Sequence, residues 1–229
     1  MLFDLRGRGR RRTVQVIYLS LAILMGGGLV LFGIGGGTNG GLFDAIGGSG
    51  GSSTSTDSVF KKRLAAYEQQ LKVNPQNTAA LIGVTKLHFG NASTGENFNQ
   101  TQGAYTAKGL AELRQASVSW DRYIATDPKK PDAGTANLMV QTYGPNGLKQ
   151  YDKAVTAMEI VIANRKETAN LYAQLAIISA AAKQDRKATL AEQKALDLTP
   201  KKDRKQLKSE IDLQKSQLTV QQPAQPQSG

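Results

Sequence analysis

Apolar and polar residues follow two regimes along this chain of 229 residues. From Val14 to Ile34 it is uncharged for 21 residues. As a helix at about 1.5 Å per residue, that stretch spans roughly 31 Å, enough to cross a hydrocarbon core of about 30 Å. From Ser58 onward apolar residues recur at helical spacing, as Phe60, Leu64, Tyr67 and Leu71 in one segment and Leu171, Leu175 and Ile178 in another. No segment there alternates like a half-buried strand, so the pattern predicts an all-α domain over 58–218 behind one transmembrane helix at 14–34. Between them, 35–57 is rich in Gly and Ser and predicts a flexible linker with a typical reach of about 25–30 Å. Residues 219–229, rich in Gln and Pro, predict a disordered tail.

Charge orients the span. Arg6, Arg8, Arg10, Arg11 and Arg12 precede it with Asp4 as the sole acid, so the positive-inside rule keeps 1–13 in the cytoplasm and sends the helical domain to the extracytoplasmic side of a cell membrane. Gln15 and Tyr18 lie at the arginine end, where headgroups are in reach. A cleaved signal peptide is the competing reading, but its apolar region usually runs about 7–15 residues. This one is longer and continues into glycines, which favours a retained signal anchor. Gly26, Gly27, Gly28 and Gly33 cover most of the helix circumference and define no packing face. In the linker, Leu42–Ile46 forms a small apolar island able to dip into the outer interface.

Helix stops give the domain its period. Lys72-Val73-Asn74-Pro75, Ala125-Thr126-Asp127-Pro128 and Asp197-Leu198-Thr199-Pro200 each end one helix and start the next. Ala195 and Ala188 stand five and twelve residues before Pro200; Tyr123 and Ala116 stand likewise before Pro128, with Trp120 between them. One period of about 34 residues before Pro200 falls on Lys166, ahead of which Ala154, Met158 and Val161 hold the corresponding places. Tyr172, Leu175 and Ala176 fill a first-helix pattern. On these residues the chain resembles the tetratricopeptide repeat family over roughly Ser58 to Pro200.

The resemblance implies a short α-solenoid: an opening helix Phe60–Val73, three helical hairpins and a closing cap helix from about Lys201 to Leu218. Pro75 to Pro128 is 53 residues and Pro128 to Lys166 is 38, so against a period of about 34 residues both carry insertions. These fit the turns inside the hairpins, Gly90 to about Lys108 and Gly144–Gly147. Gly134 and Asn137 depart from the pattern where an aromatic residue and a leucine are expected.

Catalytic chemistry is sparse. The chain has no cysteine, hence no disulfide, thiolate nucleophile or cysteine metal site. His88 is the lone histidine and reads as a packed or capping residue. Ser117 and Ser119 have no evident base, the carboxylates are scattered along helices, and the Gly-rich stretch lacks the Lys-Ser/Thr of a phosphate loop. Asn91-Ala92-Ser93 fits an N-glycosylation acceptor, relevant only in a glycosylating compartment. The expectation is a protein without catalytic, cofactor or metal site; an enzyme would need a partner to complete its active site.

Two binding modes follow. In the tetratricopeptide family the first helices of each repeat line a groove for a peptide or partner protein. By repeat position these residues are Ile82, Lys86 and Phe89 after Pro75 and Asn170, Ala173 and Ile177 after Lys166, joined by Met139 and Tyr143; core packing between repeats is the competing role of the apolar members. The layout is similar to translocon-associated ancillary repeat proteins, which assist secreted clients. The opening segment resembles envelope proteins of high-GC Gram-positive bacteria. The first implies a membrane-tethered protein-interaction scaffold; the second covers the anchor and implies an envelope setting rather than an activity. The alternative rests on charge: after Asp44 stand 24 basic against 16 acidic residues, densest at Lys201, Lys202, Arg204, Lys205 and Lys208. Outside the cytoplasm such a surface suits anionic cell-wall polymer or lipid headgroups rather than nucleic acid.

Overall fold

A computed structural model describes residues 53–220, with side chains from 58 to 218. The arginine cluster at Arg6–Arg12, the 14–34 span, the linker up to residue 52 and the tail from 221 lie outside the described residues. Among the described residues no helix is long and apolar enough to cross a membrane. The chain divides between Thr56 and Asp57 into two units, and the second holds the fold that follows.

This unit is all-helical. The helices of the described residues are α1 (Ser53–Val73), which starts four residues ahead of that division, α2 (Thr78–Ala92), α3 (Ala107–Ile124), α4 (Ala133–Tyr143), α5 (Tyr151–Asn164), α6 (Ala169–Ala181), α7 (Asp185–Asp197) and α8 (Arg204–Val220). Helix α1 begins inside the segment expected to be linker, at Ser53 rather than Ser58. Helix α8 starts three residues later than the sequence suggests and runs two residues into the expected tail.

Helices pack in consecutive pairs, α2 with α3, α4 with α5 and α6 with α7. The pairs are antiparallel. His88 near the end of α2 meets Glu112 near the start of α3 at 2.6 Å, whereas Arg122 at the end of α3 donates to the Pro75 carbonyl ahead of α2 at 3.3 Å. Across the last pair, Lys194 of α7 reaches Glu167 ahead of α6 at 3.1 Å. Successive pairs stack: α4 lies on α2 and α3, α6 on α5, and α8 on both α6 and α7. One apolar core runs from Leu81 and Trp120 through Met139, Met158 and Leu175 to Ile211.

Local chemistry sets the helix starts. Asn77, Asp132 and Thr168 cap α2, α4 and α6, each accepting the backbone N–H three residues on, which satisfies donors the helix leaves free. Helices α5 and α7 enter instead through tight turns in which Lys149 and Lys183 take φ of 55 and 58°. Helix α1 folds back on α2, with the Phe60 ring edge-on to His88 at 5.7 Å and Tyr67 over Gly83. A Cβ on Gly83 would meet that ring at 2.4 Å, so only glycine admits the contact unshifted.

The insertion between α2 and α3 is built rather than loose. Helix α2 runs on to Ala92, a single 3-10 turn follows, and β1 (Phe98–Asn99) pairs antiparallel with β2 (Ala104–Tyr105). That small hairpin is a departure from the expected absence of strands. Phe98 and Tyr105 stack edge to face at 5.1 Å, and Tyr105 packs on a satellite cluster of Phe89, Ala92 and Leu113. Gly109 sits so close to the Asn97 carbonyl that a Cβ would lie 2.1 Å from its oxygen.

Candidate functional site

The eight groove candidates separate by burial. Phe89, Met139, Tyr143, Ala173 and Ile177 are at most 8% exposed and belong to the interior. Ile82 and Lys86 on α2 are half-buried, and Asn170 on α6 is exposed. The separation is clearest on α4. Its inward stripe is Ala136, Met139 and Tyr143, three and four residues apart, with Thr135 and Thr142 beside it. Gly134 is exposed and Asn137 half-buried, so the residues that fit the family pattern poorly lie off the core stripe. Phe89 is taken up by the satellite cluster under the insertion. Ala173 and Ile177 join the main core on α6, against which α8 packs.

Of the accessible members, Lys86 is held by charge. Its ammonium lies 3.5 Å from Asp132, the cap of α4. Burial pushes the Asp132 carboxyl up, but the hydroxyl and backbone N–H of Thr135 and the Lys86 ammonium outweigh it and hold the carboxyl below its ordinary range. This pair ties the middle of α2 to the start of α4.

The titratable groups inside the fold are spent on structure. Tyr143, 1% exposed, has its hydroxyl 2.9 Å from Ser117 and donates to Asp121 at 3.5 Å. Lys153 in turn donates to Asp121 at 2.7 Å and lies 5.5 Å from the Tyr143 ring centroid. Burial drives the Tyr143 phenol well above its ordinary range, with the charge of Asp121 adding to it and Ser117 opposing. His88 and Glu112 form a similarly enclosed pair beneath Phe60. Among the described residues no group of three or more His, Cys, Asp or Glu could hold a metal ion.

Two features of the surface escape the proline-based reading of the sequence. Lys149-Gln150-Tyr151-Asp152-Lys153-Ala154 recurs 34 residues later as Lys183-Gln184-Asp185-Arg186-Lys187-Ala188. The structure repeats with it: Gln150 and Gln184 precede their helices at φ, ψ of −95, 70° and −94, 64°. Lys153 pairs back to Asp121 of α3 at 2.7 Å, and Lys187 to Glu159 of α5 at 2.5 Å. On α7, Glu192 then reaches Lys208 and Lys215 of the closing helix. Burial opposes the charge on Glu192, but the two ammonium groups prevail and lower its carboxyl. The second feature is a set of basic pairs in the turns entering α4, α6 and α8. No family model matches the chain, and neither curated proteins nor solved structures give a match.

Proposed function

We propose that this chain is a non-enzymatic, membrane-tethered scaffold of tetratricopeptide type, which holds a protein or peptide partner on the extracytoplasmic side and assists secretion or envelope assembly. One observation carries the repeat reading. The 34-residue recurrence of Lys-Gln-x-x-Lys-Ala coincides with equal backbone turns and equivalent ion pairs back to the second helix of the preceding pair. A chain whose helix pairs each contact only their neighbours needs such positions to recur. Helix α8, packed on α6 and α7, takes the place of a cap.

With five of the eight family positions buried, the partner's accessible footholds on the groove reading are Ile82, Lys86 and Asn170. The test places a photoreactive residue at Ile82 and, separately, at Asn170 in the full chain in its native membrane. Recovery from both sites of the same secretory or envelope protein, competed by an excess of that protein and absent from a probe at Lys149, supports the scaffold. Labelling that is identical from Lys149, or that no protein competes, refutes it.

A further inference from the structure

Every turn that leads from one helix pair to the next carries two adjacent cations. Lys129-Lys130, Arg165-Lys166 and Lys201-Lys202 follow one another at intervals of 36 residues and stand just ahead of α4, α6 and α8. Because the pairs are antiparallel, these turns share one edge of the stack. Arg122 reaching Pro75 and Lys194 reaching Glu167 mark that edge at its two ends. With neighbouring helices about 8–10 Å apart, consecutive turns lie on the order of 10–20 Å apart.

All six side chains are exposed, and among the described residues none is engaged in an ion pair. The acids of the same turns are partly offset. Asp132 is held by Lys86 and Thr135, and Glu167 by Tyr172 and Lys194. Asp127 and Asp203 are exposed and subtract from the row, with Arg204 and Lys205 beside the latter.

We infer that this edge is a binding surface for a linear polyanion, a polymer bearing a phosphate on each of its units. Three observations favour that class. The charge is a row that recurs with the helix pairs, matching a ligand whose charge recurs along a line. Five of the six residues are lysine, a hydrated point charge on a flexible stem that tolerates variable geometry; stereospecific carboxylate or phosphate recognition prefers the arginine fork. The edge is also poor in the groups that other polyanionic partners require. Among the described residues the exposed large apolar side chains are valines and leucines, of which Val73 and Leu198 stand at this edge. Tyr172, an aromatic ring close to the row, is covered by Lys194 at 5.6 Å and tied to Glu167. Stacking on nucleic-acid bases and aromatic insertion into a lipid interface are thus unsupported.

The experiment titrates the full chain with inorganic polyphosphate long enough to cross three turns. Parallel arms use orthophosphate at equal phosphate concentration and vesicles of phosphatidylglycerol. Binding should weaken by about 10³-fold between about 50 and 200 mM salt if all six cations contribute. Replacing the six with Gln in a chain whose Arg6, Arg8, Arg10, Arg11 and Arg12 are also Gln should abolish it, variants of one turn should lose part of it, and Lys149→Gln/Lys183→Gln/Arg186→Gln on the opposite edge should leave it unchanged. Three results would overturn the assignment: equal loss in the opposite-edge variant, orthophosphate competing as well as the polymer, or binding to vesicles alone. The groove reading fails or stands separately, since crosslinking from Ile82 should survive neutralisation of the row.

Discussion

The first helix pair, α2 with α3, and the last, α6 with α7, reach the same antiparallel packing by opposite means. The first uses bulk: Leu81, Phe89, Leu113, Trp120 and Tyr123 are all buried, and its two helices are joined by the insertion at 93–106. The last uses small residues, with Ala173, Ala176, Ala188, Ala191 and Ala195 buried and the turn at 182–184 joining the helices. One register position makes the contrast plain. Trp120, Met158 and Glu192 occupy equivalent places on α3, α5 and α7; the first two are buried, and the third reaches Lys208 and Lys215 of the cap. Equivalent positions thus face inward along the chain while their volume varies, and at the last pair a carboxylate that reaches two ammonium groups stands where the others bury a large side chain.

Truncation should expose that gradient. Trp120→Ala removes a ring that is 4% exposed and should cost about 3–5 kcal/mol in urea unfolding of the full chain. Glu192→Ala, at the equivalent position, should cost about 1 kcal/mol, the scale of a partly exposed ion pair. Equal losses would mean that the cap is held by Glu192 as firmly as the first pair is by Trp120, and the contrast would collapse.

A second probe asks whether the insertion is part of the first pair. Gly109→Ala places a methyl 2.1 Å from the Asn97 carbonyl oxygen, a backbone atom that cannot swing aside. A loss of about 1–3 kcal/mol is expected, with hydrogen-exchange protection falling first at Tyr105 and Thr106. Gly134→Ala on α4, whose added carbon meets nothing nearer than 3.4 Å, should be neutral. A Gly109→Ala variant that keeps its protection would show the hairpin to be an independent appendage.

The sequence was most legible where residues act through the backbone. Asn74-Pro75, Asp127-Pro128 and Thr199-Pro200 mark helix ends because proline restricts its predecessor and cannot continue the preceding helix; α1, α3 and α7 end at Val73, Ile124 and Asp197. The inward residues of the second helices, such as Ala116, Tyr123, Ala154, Val161, Ala188 and Ala195, are buried. Groove membership was far less legible. Met139, Tyr143, Ala173 and Ile177 lie on helices apolar enough to present inward faces to more than one neighbour, and spacing alone cannot say which face a neighbouring helix covers. Tyr143 needed the hydroxyl of Ser117, 26 residues away, to become a core residue. The ordering of 93–106 was equally hidden, because it depends on Asn97, Thr106 and Gly109 meeting in space.

Asp132 offers a pH-dependent test of how the first two pairs are joined. Its folded carboxyl lies below the ordinary range, so the fold favours the ionised form. The resulting stability is complete above the unfolded value and disappears as pH falls through the folded one. Asp132→Asn keeps a cap acceptor but loses the attraction to Lys86. The variant should trail the parent by less than about 1 kcal/mol near neutral pH, and the gap should close as pH falls below the ordinary carboxylate range. A gap that persists in acid would assign the effect to capping geometry rather than charge.

The smallest effects belong to the ion pairs that link the outer helices. Lys187 and Glu159 are 38% and 46% exposed, so a double-mutant cycle with Lys187→Gln and Glu159→Gln should give a coupling of about 0.2–1 kcal/mol. It should vanish near 1 M salt, where the screening length falls to about 3 Å. The equivalent pair, Lys153 with Asp121, should resist salt better, because Lys153 also lies over the Tyr143 ring at 5.5 Å and Asp121 accepts from the buried phenol. Unequal couplings at equivalent positions would show the ladder to be a device of register, repeated along the outer helices, whose energetic weight is set by what lies beneath each pair. Equal couplings would separate Lys153 from the Tyr143 network and leave the buried phenol to Ser117 alone.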